Sequence, residues 1–154
     1  MPSDALLPAL QQQLKAVEAD LRARSDDADD PWAQGLRAQY EAAREVGRTA
    51  WTWSVWRDHE VSLAAVAWVL STVFVRFCED NGLLSRRMIA GPGSAMLDAT
   101  EAENAFYAAS PAANARDWLR EGFAELARFP ATAGLVDRTH SPVWTAPLGA
   151  DAAD

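Results

Sequence analysis

The sequence predicts an all-α fold, and three observations lead to that prediction. Apolar residues recur at spacings of three and four in several segments, as in helices that pack one face on a core. No segment alternates apolar and polar residues as convincingly as a half-buried strand does. Capping residues, prolines and glycines stand where these segments begin and end. We therefore expect an irregular bundle of about five helices around a central buried helix at residues 62–81.

The length and composition of the chain limit its class. Its 154 residues are 49% apolar and 23% charged, as in an ordinary globular domain with a sizeable core. The longest apolar run, residues 63–75, is shorter than the about 20 apolar residues of a membrane-spanning helix. The N-terminus lacks the features of a secretory signal, and the single cysteine, Cys78, has no partner for an internal disulfide. The sequence thus predicts a cytoplasmic protein with no membrane segment.

Residues 1–24 predict an amphipathic N-terminal helix that is capped by Ser3. Its apolar stripe consists of Leu7, Leu10, Leu14, Val17 and Leu21. Packing on the protein's own core is the ordinary role of such a stripe, and a coiled-coil or partner-binding arm is the alternative. Residues 25–30 are acidic and carry no apolar anchor, so we interpret them as a solvated linker.

A helical core is expected over residues 31–130. It begins with Asp30 and Pro31, a pair typical of a helix start, because the carboxylate caps free amides and proline suits the first turn. The central helix is apolar nearly all round. Neighbouring helices are therefore expected to surround it and to bury Phe74 and Phe77.

Further signals divide the rest of the chain. Gly82 is placed to end the central helix in a left-handed turn. Thr100 with Glu103 predicts a capping box, and Asn114 is expected to cap another helix. Residues 131–154 are interpreted as a loop and the truncated start of a further helix, as if the sequence were cut off.

The acidic balance of the chain opposes free binding to DNA. Phosphate contacts supply most non-specific affinity for DNA, and a net charge of −8 repels phosphates. Arginines near aromatic residues can stack on bases, although tryptophans more often anchor packing. The segment that contains Trp51, Trp53 and Trp56 is left undecided between an extended strand and a helix start. The weak nucleic-acid candidates are Arg48, Arg57, Arg86 and Arg87.

The sequence indicates no catalytic, cofactor-binding or metal-ligating residues. Its one glycine-dense stretch, residues 91–93, has no preceding strand and no following lysine, unlike a nucleotide-binding loop. His59 and His140 stand alone, whereas metal sites need clustered ligands. A nucleophilic pair of Cys78 with a histidine is the alternative, but burial in an apolar helix would keep the thiol protonated and inert.

One charged group stands out at the end of the central helix. Offsets of three and four residues place Arg76 on the same face as Glu79 and Asp80. An internal ion pair is the simpler interpretation. The alternative is that the group orients the following loop or contacts a neighbouring domain. Together with Phe74 and Phe77, these residues are our candidates for domain packing or interaction.

The same region carries a resemblance to a known family. Residues 66–84 read VAWVLSTVFVRFCEDNGLL and resemble the helix of large adenine-specific methyltransferases that reads roughly F-x-R-F-x-E-D-N/R-G-L-L. Residues 43–50 and 118–127 resemble the same N-terminal region less distinctively. The family is the methyltransferase of the BREX type 2, or Pgl (phage growth limitation), defence system. The resemblance covers almost all of this chain but only a small front part of the family's large protein.

The resemblance implies a DNA-modifying enzyme in which this chain is a non-catalytic part. The full protein would transfer a methyl group from S-adenosylmethionine to adenine in DNA during restriction-modification-like phage defence. The family's Asn-Pro-Pro-Tyr/Phe motif and glycine-bearing cofactor loop are absent here, so no catalytic or cofactor residue carries over. The implied partners are the downstream methyltransferase domain, DNA and other phage-defence proteins. A stand-alone acidic helical protein-interaction module is the alternative.

Overall fold

Periodic apolar positions between capping signals give the chain its helices, and a computed structural model confirms the all-α fold. The model describes residues 3–89, 91 and 93–153, and side chains from residue 6 onward. The α-helices are α1 (Ser3–Asp26), α2 (Pro31–Glu45), α3 (Trp53–Asp80), α4 (Ser94–Ala109), α5 (Ala115–Ala127), α6 (Pro130–Ala133) and α7 (Ala150–Ala153). Two 3-10 turns lie at Gly134–Val136 and Pro142–Trp144. The predicted cap at Ser3 depends on a side chain outside this description, and the glycine-dense stretch at residues 91–93 includes Pro92, which also lies outside it.

The central helix α3 begins nine residues earlier than residue 62, where the sequence predicts it. Thr52 caps it, and its hydroxyl accepts a hydrogen bond from the Val55 N–H at 3.5 Å. The undecided tryptophan segment is therefore a helix start, with Trp53 in the first turn. The early turns contain charged residues that hid the periodicity in the sequence. In the fold these charges are paired, for example Arg57 with Asp58 at 2.9 Å.

One face of α3 lies in the core. The side chains of Val61, Ala65, Trp68 and Val75 on this face are almost fully buried. Helices α1, α2 and α5 and the second 3-10 turn pack against α3, which confirms its central position. The Trp68 ring meets the ring of Phe123 from α5 edge-on, with 5.4 Å between the centroids. These two aromatic side chains hold α3 against α5.

The opposite face of α3 is exposed, and the expected burial of Phe77 is wrong. Phe77 is 53% exposed, while Phe74 is half-buried and packs against the core. Periodicity cannot show which side of a helix meets its neighbours when apolar residues occupy every side. In the fold, neighbours cover only the side of α3 that carries Trp68 and Val75.

Helix α3 also has the length and the apolar composition of a membrane-crossing helix. It is one such helix among the described residues, with a mean hydropathy of 1.9 over the relevant window, of which 39% is buried within the fold. A core helix meets the same criteria of length and composition. Three helices pack on one face of α3, and most of the window remains accessible on the other side.

The other sequence signals have mixed outcomes. Asp30 caps α2 as predicted, since its carboxylate accepts from the Trp32 N–H at 2.8 Å. Asn114 caps α5 in a reciprocal capping box with Asp117. The predicted cap at Thr100 is wrong, because Thr100 lies inside α4 and its hydroxyl donates to the Met96 carbonyl.

The segment after α5 packs into the core, although the sequence suggests a loop there. Apolar side chains of this segment are buried: Val136, Val143, Ala146 and Leu148. The guanidinium of Arg120 on α5 donates to the carbonyls of Val143 and Trp144 at 3.0 and 3.1 Å. The Gly149 N–H donates to the Asp20 carboxylate at 2.8 Å, which ties the segment to α1. Residues 131–153 therefore belong to the same packed unit as α1, α3 and α5.

Replacing Phe123 by alanine should destabilise the fold far more than replacing Phe77. Phe123 is fully buried against Trp68, and removing such a ring typically costs about 3–5 kcal/mol. Phe77 is half-exposed, so Phe77→Ala should lower the free energy of unfolding by less than about 1 kcal/mol. Urea denaturation of the two variants measures the contrast. Equal losses would mean that the exposed face of α3 is covered in solution.

Candidate interaction site at the end of the central helix

The C-terminus of α3 closes in a glycine-dependent motif that the sequence predicts. The Gly82 N–H donates to the Glu79 carbonyl at 3.1 Å, and the Leu83 N–H donates to the Cys78 carbonyl at 2.8 Å. Gly82 has a φ of 65°, in the left-handed region that favours glycine. This turn reverses the chain, so that the following loop, described for residues 85–89 and 91, runs back beside the last turns of α3.

Glu79 holds this loop from inside the protein. Its side chain is only 3% exposed, and Oε1 accepts hydrogen bonds from the backbone N–H groups of Met88 and of Ile89, the latter at 2.7 Å. The Glu79 carbonyl in turn accepts from the Arg87 guanidinium at 3.0 Å. Glu79 therefore acts as a buried acceptor for loop backbone groups that would otherwise lose their hydrogen bonds to water.

Arg76 holds the same loop from the outer side. It forms the predicted ion pair with Asp80, with 2.8 Å between Nη2 and Oδ1. Its Nη1 also donates to the Ile89 carbonyl at 3.3 Å. A Cβ atom at Gly91 would lie only 2.9 Å from Nη2 of Arg76, so glycine allows this close approach. The charged group therefore forms an internal ion pair and also contacts the loop, while contact with a neighbouring domain stays a prediction.

Helix α5 fixes the other side of the loop. The Trp118 indole N–H donates to the Met88 carbonyl at 3.0 Å, within the buried region. Arg86 pairs with Glu121 at 3.2 Å, and its guanidinium lies 5.6 Å from the Trp118 ring centroid. The motif on α3 and Trp118 on α5 therefore hold the loop from two sides.

The environment of the site shifts two pKa values upward. Burial raises the pKa of the Glu79 carboxyl, against the opposing effects of the Ile89 and Met88 N–H groups and of nearby Arg76. Oε2 of Glu79 accepts no hydrogen bond from any residue that the structure describes. Burial also raises the pKa of the Cys78 thiol, which favours the unreactive protonated form.

The four basic candidates lie in two separate places. Arg57 is near the start of α3 and pairs with Asp26 and Asp58, whereas Arg86 and Arg87 lie beyond its end. A helix of 28 residues is about 42 Å long, so the two groups do not form one basic surface. Arg48 is exposed on the loop before α3.

The three tryptophans mainly join α2 to α3. Trp53 and Trp56 stack with 6.0 Å between centroids, and the Tyr40 ring of α2 lies 5.5 Å from Trp53. Trp51 is half-exposed and meets the ring of His59 at 5.2 Å. Packing therefore accounts for two of the rings, and Trp51 is the one with a large accessible surface.

Sequence reasoning did not predict two features of the protein surface. The first is the exposed apolar face of α3, which periodicity could not distinguish from the buried face because apolar residues occupy every side of this helix. The second is a cleft of about 1030 Å³ between α2, α3 and the segment after α5, lined in part by Trp32, Leu36, Leu63 and Ser141. The cleft joins residues far apart in sequence, so no local signal could reveal it. Over the described ranges, no group of three or more potential metal ligands comes together.

Glu79→Gln should flatten the pH dependence of stability, and Glu79→Ala should destabilise the protein. Folding raises the pKa of the Glu79 carboxyl. The free energy of unfolding should therefore fall as pH rises from the pKa of an unfolded glutamate, about 4.3, through the higher pKa of the folded state. Glutamine keeps a carbonyl acceptor and does not ionise, so the stability of wild type relative to Gln should fall across that range. Alanine leaves the buried Met88 N–H and the partly buried Ile89 N–H without this acceptor, and the buried group alone should cost about 1–3 kcal/mol.

Urea denaturation between pH 4 and pH 8 measures both effects, as free energies of unfolding at each pH. Asp80→Asn, at the exposed partner of Arg76, is the matched control, since Asp80 accepts no loop N–H. Parallel curves for wild type and Glu79→Gln would contradict the raised pKa.

One of three comparisons with known proteins supports the resemblance carried by the motif. No family model matches the chain, and no solved structure matches it. Over 150 residues, 97% of this chain, the sequence is 47% identical to the adenine-specific methyltransferase PglX of Streptomyces coelicolor. The chain spans only 12% of the length of that relative. The resemblance seen in residues 66–84 is thereby confirmed, and this chain is similar to one small segment of an adenine-specific methyltransferase.

Proposed function

We propose that this chain is the N-terminal, non-catalytic helical portion of an adenine-specific DNA methyltransferase in a BREX or Pgl phage-defence system. The observation that supports it is the 47% identity, which extends over 97% of the chain. Similarity along nearly the whole length favours a shared fold over a shared short motif. The cytoplasm is the compartment in which such an enzyme would meet host DNA.

The cofactor of the full enzyme, S-adenosylmethionine, does not fit the residues of this segment. The sequence has no glycine-rich loop after a strand and no Asn-Pro-Pro-Tyr/Phe motif. The buried acid that might attract attention, Glu79, is engaged with the backbone of Met88 and Ile89. We therefore propose that the cofactor and the target adenine bind elsewhere in the full-length protein.

In this proposal the motif at the end of α3 has a structural role. Arg76, Glu79 and Gly82 set the path of the loop after α3, and Trp118 holds that loop to α5. Such contacts fix the shape of a domain surface and perform no bond-making step. A rigid helical unit of this kind can position the catalytic part or contact other defence proteins.

DNA is proposed as a partner of the full-length protein rather than of this segment alone. The net charge of −8 opposes the counterion release that drives binding to DNA. Arg57, Arg86 and Arg87 already contact acidic side chains or backbone carbonyls. Contact with DNA would thus depend on the remainder of the methyltransferase.

The isolated chain should neither bind S-adenosylmethionine nor methylate DNA, because it lacks both motifs. Calorimetric titration with S-adenosylmethionine and a tritium-transfer assay on DNA measure the two activities. The full-length Streptomyces relative is the positive control. Binding at micromolar affinity by the isolated chain would contradict the non-catalytic role.

The coding sequence downstream of codon 154 discriminates the proposal from its alternative. An Asn-Pro-Pro-Tyr-like motif in the same reading frame is expected if the chain is part of a methyltransferase. A stop codon at this point in the native gene, with no such motif following, would instead favour the stand-alone acidic interaction module.

Any binding of the isolated chain to DNA should be weak and should disappear with salt. Phosphate-driven binding loses orders of magnitude in affinity between 50 and 200 mM salt. A mobility-shift assay with a duplex of mixed sequence tests this. A complex that survives about 200 mM salt would contradict the prediction and would direct attention to Arg48 and Trp51.

A further inference from the structure

The exposed face of α3 carries a continuous apolar stripe. We define the apolar stripe as Leu63, Val66, Leu70, Val73 and Phe77. Each of these side chains is more than one third exposed, and Leu70 reaches 60%. Their spacing of three, four, three and four residues places them along one side of the helix, over about 21 Å. This pattern is the seam by which one helix packs on another.

Along α3, charged side chains stand only at the two ends of the apolar stripe, where Glu60 precedes Leu63 and Arg76 precedes Phe77. From residue 61 to residue 75 α3 carries no charged side chain on any face. Helices that face solvent on one side carry charged or polar residues there, and large exposed apolar patches mark interaction sites. The centres of permanent interfaces are likewise depleted of charge. The composition of this face is that of a covered surface.

The two ends of the apolar stripe are shaped for contact. At its C-terminal end the Phe77 ring packs on Phe74, with 5.6 Å between centroids, and Phe74 packs on the core. Phe77 thus packs on a residue that itself packs on the core. At the other end Leu63 lines the cleft together with Trp32 and Leu36 of α2. The stripe therefore continues into a concave surface.

We propose that the apolar stripe is the surface on which the remainder of the methyltransferase polypeptide docks, through an amphipathic helix. This inference rests on the proposed function. The chain spans 12% of its relative, so most of such a protein lies outside this fold and is tethered to it. A tethered segment binds at a high effective concentration and needs little affinity of its own.

The charge of the chain argues against a second copy as the occupant. Two copies would bring net charges of −8 together, and such repulsion disfavours association. A helix from elsewhere in the same polypeptide meets no such penalty. Its expected chemistry is an apolar seam of leucine, isoleucine or valine at spacings of three and four, with polar residues on its outer side.

Hydroxyl-radical footprinting of the full-length methyltransferase tests the docking directly. Leu135 is the matched reference, because it is 52% exposed, close to the 53% of Phe77, and lies in the 3-10 turn that packs on α5 and α6. Phe77 and Leu70 are expected to label several-fold more slowly in the full-length protein than in the isolated chain, with Leu135 unchanged. Equal labelling of Phe77 in both proteins would overturn the proposal.

A substitution in the full-length protein provides the second arm. Leu70→Glu should leave the melting temperature of the isolated chain nearly unchanged, yet lower that of the full-length protein and restore labelling of Phe77. Leu135→Glu should neither lower the melting temperature of the full-length protein nor restore labelling of Phe77. Methyl transfer to DNA is measured in parallel. A full-length protein that methylates DNA, but in which the apolar stripe is labelled as fast as in the isolated chain, refutes the docking and leaves the proposed function intact. An inactive full-length protein with no cofactor binding refutes the proposed function instead.

Two other occupants are outcomes of the same experiment. Protection of Phe77 in a concentration-dependent dimer of the isolated chain, detected by sedimentation, would overturn the proposal in favour of a second copy. Co-sedimentation of the isolated chain with phosphatidylcholine–phosphatidylglycerol vesicles, lost in Leu70→Glu and kept in Leu135→Glu, would overturn it in favour of a lipid surface.

Discussion

Burial of one face of α3 is the constraint on which the rest of the structure depends. Trp68 and Val75 on this face lie against α5, where Phe123 meets the Trp68 ring at 5.4 Å. Burying such large apolar side chains provides the main favourable free energy of folding. The positions of α1, α2 and the segment after α5 follow, because each must cover part of the same helix. The uncovered face is then left to interact with something outside this fold.

The charged motif at the end of α3 depends on that burial and extends it. A carboxylate such as Glu79 is costly to remove from water unless hydrogen bonds compensate. The Met88 and Ile89 N–H groups supply them, and the loop is thereby fixed beside Trp118. Arg76 closes the outer side of the same loop. A sequence pattern shared with methyltransferases thus has a structural explanation, with no catalytic step assigned to it.

Local signals in the sequence predicted three helix ends correctly, and tertiary contacts account for much of what the sequence could not predict. Asp30, Gly82 and Asn114 were correct because a cap needs only its own turn of backbone. The early start of α3 and the exposure of Phe77 depend on which neighbours arrive, which periodicity does not record. At the site, the four-residue offset predicted the Arg76–Asp80 pair. The hydrogen bonds of Glu79 with residues nine and ten positions away could not be predicted, because they depend on the path of the loop in the fold.

The hydrogen bond between Gly149 and Asp20 has a consequence for synthesis on the ribosome. The two residues are separated by 129 positions, and glycine is needed there because a Cβ atom would lie 2.6 Å from the Asp20 carboxylate. At usual elongation rates the later residue emerges roughly 10 s after the earlier one. Throughout that interval the nascent chain displays Val17 and Leu21 without their full set of neighbours. Apolar helix surface that stays uncovered during synthesis is prone to aggregation, which is the physical reason that chaperones exist.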